Sequence, residues 1–93
     1  MAKQTAKSRA YMGLVANLPC VVCGAWPVEV HHKTGAGMGL RASDYDTIPL
    51  CPRHHRTGGP GVAVHAGTRT WEEKFGTQDD HIRETQRKLT YEG

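Results

Sequence analysis

Apolar positions along this chain come in short bursts, and their spacing switches between helical and extended. Tyr11, Leu14, Val15 and Leu18 recur near helical spacing, which predicts a short helix from Ser8 to about Asn17, closed by Pro19. Residues 1 to 7 before it read as a solvated arm. "PVEVHH" alternates and is β-rich, so a strand is expected from Val28 to His32. A loop follows from residue 33 to 45, with Gly35, Gly37 and Gly39 at its centre and "SDYD" at its end. "DTIPL" reads as a second short strand, with Pro49 at its edge or end. Pro52 suits the first turn of a helix starting near Cys51, and "TGGPG" breaks that helix after about Arg56. "TWEE" has the form of a capping box, with Thr70 as N-cap and Glu73 reaching back, for a helix from Trp71 to Phe75 that ends at Gly76. Thr77 then caps a last helix, "QDDHIRETQRKL", whose acids come first and bases last, as the helix dipole favours.

These elements suffice for a single small domain over residues 1–93, and its core is thin. Only 38% of the residues are hydrophobic and there is a single Phe. Chains of this size need a staple, either disulfides, a metal or a partner. Three cysteines, an odd number, argue against a closed disulfide framework. The opening "MAKQTAKSRA" has no apolar leader segment, and no run of ~18 apolar residues could span a bilayer. The expected setting is the reducing cytoplasm of a bacterial or phage-infected cell, away from membranes, where grouped Cys and His read as metal ligands.

The strongest such group is Cys20-x2-Cys23 with Cys51-x2-His54. Two close pairs can grip one ion tetrahedrally, and three thiolates with one imidazole form a recognised structural zinc set. All three cysteines are consumed, and the ion would tie a loop to a helix. On a helix Cys51 shares a face with both His54 (i, i+3) and His55 (i, i+4). The x2 spacing favours His54, but either can complete the site.

Histidine is then left in excess. His81 has the ordinary reading of a surface or satisfied core residue. His31 and His32 end a strand, with Glu29 two residues upstream of the pair. A zinc tie would bring that strand against the helix beginning at Cys51, and so gather His31, His32 and His55. Two imidazoles can hold a divalent metal, and a third can act as general base at neutral pH. The net charge of +3 is only mildly basic, but Lys33, Arg41, Arg53 and Arg56 bracket the two histidine pairs. They are candidates for phosphate contacts, which position a nucleic acid without reading its sequence.

Together, "CVVCG…VEVHHKTG…DYDTIPLCPRHH" resembles the HNH, or ββα-metal, endonucleases. The stretch from His31 to His65 further resembles the nuclease domain of the phage Ref proteins, which are RecA-dependent HNH nucleases. The resemblance covers residues 15 to 80. It implies an α+β fold, a small zinc-stapled ββα-metal (HNH/His-Me finger) domain with flanking helices. It puts His31 at the place of a metal ligand, His32 at that of the water-activating base, and His55 at that of a metal ligand on the helix. The central Asn of the motif falls on Asp46, a departure, because Asp accepts hydrogen bonds but does not donate them. His65 could return to the metal through the "RTGGPGVAV" loop.

The implied activity is hydrolysis of DNA phosphodiester bonds with low intrinsic sequence specificity, in phage recombination or repair. The implied cofactors are structural Zn2+ and catalytic Mg2+ or Mn2+, with Ni2+, Co2+ or Zn2+ also compatible with so many histidines. The implied partners are DNA and a RecA-type recombinase filament. The rival reading is a zinc-stapled nucleic-acid or filament-binding module without catalysis, which has no use for the surplus histidines. One geometric condition attaches to the motif. Neighbours in a regular strand point to opposite faces, so His31 and His32 share a site only where the strand twists or ends.

Overall fold

The computed structural model describes residues 4–35 and 42–90. Helix α1 spans Ala6–Val15. It starts two residues before the expected Ser8, because Thr5 is the cap. The Thr5 hydroxyl accepts from the Ser8 backbone N–H at 3.0 Å, and the Ser8 hydroxyl accepts from the Thr5 N–H at 3.0 Å. This reciprocal pair satisfies two otherwise orphaned donors. The helix stops at Val15, ahead of Pro19.

Strands β1 (Glu29–His32) and β2 (Thr47–Leu50) form a two-stranded antiparallel sheet. The register pairs Glu29 with Leu50, Val30 with Pro49, His31 with Ile48 and His32 with Thr47. A two-stranded sheet leaves Pro49 the open side that its missing N–H requires. Its carbonyl accepts from Val21 N–H at 3.0 Å, which ties the Cys20–Cys23 turn to the sheet.

After β2 the chain makes a π-helical turn over Arg53–Thr57, closed by Gly58 N–H donating to Arg53 O at 2.9 Å. A Cβ on Gly58 would lie 2.5 Å from Arg53 O and from a Val62 methyl, so only glycine fits there. A 3-10 turn (Val64–Ala66) leads to α2 (Thr68–Phe75) and α3 (Gln78–Thr90). The expected capping box at Thr70 is not formed. The helix begins at Thr68 after Gly67, so Thr70 lies inside its first turn. Glu73 faces Arg69 instead, at 3.7 Å. Thr77 does cap α3, its hydroxyl accepting from Asp80 N–H at 3.1 Å.

The architecture is mixed α/β. The core gathers Cys20, Ile48, Leu50, Cys51, Val64, Trp71 and Ile82, with Val21, Val22, Val28 and Phe75 packed against it. Two of the three cysteines thus sit in the core itself. β2 is buried along its whole length, lying against α1, α3 and the π-helical turn. His81 has a structural position, its Nε2 bonded to the Phe75 carbonyl at 2.8 Å below the end of α2. Among the described residues no helix is long and apolar enough to cross a membrane.

Candidate metal centres

Cys20 and Cys23 stand in a tight turn after α1. Gly24 closes it at φ 78°, a conformation that favours glycine, and donates to Cys20 O at 2.8 Å. Cys51 follows β2 directly, and His54 lies in the π-helical turn. The four ligand atoms all fall within 4.8 Å of one another, so the cluster could hold a metal ion. Cys23 Sγ is 3.7 Å from Cys51 Sγ, and His54 Nδ1 is 3.3 Å from Cys51 Sγ and 3.9 Å from Cys20 Sγ. Bonds of ~2.3 Å to a tetrahedral ion imply sulfur–sulfur edges of ~3.8 Å, so the spacing fits. Burial pushes the Cys20 thiol up, but the backbone of Cys51, Cys23 and Val22 outweighs it and holds the thiol below its ordinary value. Burial, then Arg53 and Lys74, lowers His54, which favours the neutral, ligating imidazole. Of the two histidines that share a face with Cys51, it is His54 that joins the cysteines.

His55 belongs to a second group. With His31 from β1 and His65 from the 3-10 turn it forms a cluster whose ligand atoms also lie within 4.8 Å of one another. Ring centroids are 5.1 Å apart for His31 and His55, 5.5 Å for His31 and His65, and 4.3 Å for His55 and His65. The cluster runs from buried His31 to exposed His65.

The hydrogen bonds around it fix two tautomers. Gln78 Oε1 accepts from Thr34 N–H at 3.1 Å, which identifies that atom as the amide oxygen. His31 Nε2, 2.8 Å from the same oxygen, must therefore donate, and Nδ1 keeps the lone pair. Glu29 is held near a pKa of about 2 by Arg56 and then His55, so it is ionised and can only accept. His55 Nδ1, 2.7 Å from Glu29 Oε1, donates to it, so Nε2 is the nitrogen left to face a metal. Burial drives His31 down to about 4, against the opposing bond to Gln78. Burial and then His55 lower His65 as well. At neutral pH both are uncharged, the form that binds metal.

His32 does not join this group. Strand alternation sets Glu29 and His31 on one face and His32 on the other. There His32 Nε2 is 2.9 Å from Asp44 Oδ1, and Ser8 Oγ donates to Asp44 Oδ2 at 2.9 Å. Asp46, which the resemblance puts at the place of the central Asn, lies nearby. Its carboxylate makes no hydrogen bond among the described residues, and its contribution near the strand is a backbone carbonyl that accepts from Lys33 N–H at 3.0 Å. The buried acid of this turn is Asp44, and Asp46 is only half-buried.

The basic residues are mostly engaged. Lys33 Nζ lies 2.7 Å from Asp79, and Arg56 grips Glu29 through two nitrogens at 2.9 and 2.7 Å. Arg53 is exposed and makes no ion pair among the described residues. Arg41, with Gly37 and Gly39, lies outside the described residues.

Three residues that matter to these sites were not singled out for them in the sequence: Asp44, Gln78 and, as a partner of His55, Glu29. Glu29 carried a signal, its i, i+2 spacing to His31. Gln78 carried none, since nothing local ties the first residue of α3 to β1.

Among protein families, the one described as "Protein of unknown function (DUF968)" matches residues 2–91. Among curated proteins, the chain is 35% identical over 71 residues to the "Uncharacterized protein YdfU" of Escherichia coli (strain K12). The match takes in 73% of this chain and 19% of that protein, so the chain spans about a fifth of that relative's length.

Proposed function

The chain belongs to the family described as protein of unknown function DUF968, and from its geometry we propose that it is a metal-dependent DNA endonuclease of HNH (ββα-metal) type. The observation that carries the reading is the second cluster. His31, His55 and His65 converge beside a cluster that already uses every described cysteine. A fold that needed only a staple would stop at the first.

The first cluster suits structural Zn2+, because three thiolates and one imidazole form a closed tetrahedral set. The second offers three imidazole nitrogens and leaves coordination positions for substrate or water. Nitrogen donors suit Mn2+, Ni2+, Co2+ or Zn2+ better than Mg2+, which prefers oxygen. A divalent ion held there by His31, His55 and His65 would offset the negative charge that develops on a phosphate oxygen and on the leaving oxygen. His32, the base in this reading, takes the proton of the attacking water on Nδ1 while its Nε2–H stays with Asp44. His31 and His32 are neighbours at the end of β1, and this reading requires a phosphodiester laid across the strand end to reach both faces. Arg53 is the described cation best placed to meet the DNA backbone, and such contacts carry no sequence information. Targeting then falls to a partner such as a recombinase filament.

The test is a supercoiled plasmid incubated with the protein and Mg2+, Mn2+ or Ni2+, with and without EDTA. Metal-dependent nicking is expected. His32→Ala should retain fold and metal content yet lose 10²–10⁴-fold in rate, the usual share of a general base. No nicking with any metal, alone or with a recombinase filament, would leave the non-catalytic binding module as the better reading. Undiminished nicking by His32→Ala would remove His32 as the base.

A further inference from the structure

Asp44 is a carboxylate buried to 6% exposure. Burying such a group is costly unless its oxygens are bonded, and here both are, to two elements distant in sequence. Oδ1 faces His32 Nε2 at 2.9 Å, at the end of β1. Oδ2 accepts from Ser8 Oγ at 2.9 Å, in the first turn of α1. The turn that presents Asp44 is fixed by its own bonds. Thr47 Oγ1 donates to Asp44 O at 3.0 Å, Asp46 N–H to Ser43 O at 2.9 Å, and Tyr45 N–H to Ser43 Oγ at 3.1 Å.

We propose that Asp44, braced by Ser8, is the positioning residue of His32, holding the Nε2–H tautomer so that the proton-accepting lone pair lies on Nδ1. The inference rests on the reading of His32 as the base. A neutral imidazole has one donor and one acceptor nitrogen, and its tautomer is set by what the other nitrogen meets. A carboxylate can only accept, so it fixes the choice. When Nδ1 takes the proton of water, the ring becomes an imidazolium and the neighbouring carboxylate stabilises it. The proton on Nε2 stays on the ring. Helix α1, which gives no ligand to either metal cluster, thereby becomes part of the catalytic scaffold.

The tautomer is read directly by ring 15N NMR of His32, with no dependence on activity. In the wild type, the Nε2-protonated pattern is expected. In Asp44→Ala the two tautomers should mix, and kcat for plasmid nicking should fall about 100-fold with KM unchanged. Asp44→Asn keeps the size and a hydrogen-bonding partner, so it preserves the fold should Asp44→Ala not. Its amide can donate to Nε2, so the opposite tautomer should appear and kcat should again fall. An Asp44 serving only the fold would lower the melting temperature but leave tautomer and kcat of the folded protein alone. That result, or a wild-type His32 protonated on Nδ1, overturns the proposal. A wild type that cleaves no DNA under any metal removes the nuclease reading alone, and the NMR arm still decides whether Asp44 sets the ring.

Discussion

Among the described residues the cysteine cluster gathers four donors and the histidine cluster three. The first is largely buried in the apolar core, with Cys20 and Cys51 counted among its members. Its supports are backbone groups close by, such as Val22 N–H, which donates to Cys20 Sγ at 3.4 Å. The second runs from buried His31 out to exposed His65, and its rings are steadied by polar side chains, Gln78 from α3 and Glu29 from β1. A closed set backed by main chain resists change and suits a staple. An open set backed by side chains leaves room for a substrate, and such partners tune orientation and basicity.

The comparison breaks most visibly at Cys23. Structural zinc contributes on the order of 10 kcal/mol in small zinc domains, as much as the whole net stability of a typical fold. Cys23→Ser is expected to lose zinc and the cooperative thermal transition by circular dichroism, whereas His65→Ala should keep both. A zinc-free Cys23→Ser protein that still melts cooperatively would show that the core stands unaided.

A smaller lesion sharpens the other side. Glu29→Gln removes the charge beside His55 Nδ1 and the bidentate grip of Arg56. Binding of Mn2+ or Ni2+ at the histidine cluster, followed by calorimetry, should weaken 10–100-fold, with zinc content unchanged. Unaltered affinity would mean that the carboxylate serves only Arg56. The least effect is expected at Lys33, whose pair with Asp79 is exposed. Lys33→Ala should leave the urea unfolding midpoint almost unchanged, and a clear drop would reveal a tie between β1 and α3 beyond that pair.

Much of this was legible in the chain because it is local. The spacing of Cys20, Cys23, Cys51 and His54 is a short-range property, and so is the alternation that parts His31 from His32. The choice between His54 and His55 was open, because an α-helical turn lets both share a face with Cys51. The π-helical turn and its neighbours resolve it. Asp44 and Asp46 could not be ranked, since a turn has no period from which to read a face. The start of α2 was misplaced because "TWEE" carries a capping pattern, yet Gly67 already opens the helix three residues before Thr70. Gln78 is a long-range matter, 47 residues from the ring it holds.

His54 and His55 are consecutive, yet they look into different clusters. Their Cα atoms are joined by one rigid peptide, about 3.8 Å end to end. An ion gripped by His54 therefore anchors the frame from which His55 reaches out. On the reading proposed above, the two sites would fill in order, the cysteine-rich cluster as the chain folds and the histidine cluster once that frame is set. Starved of the first metal, the protein would lose its hold on the second as well.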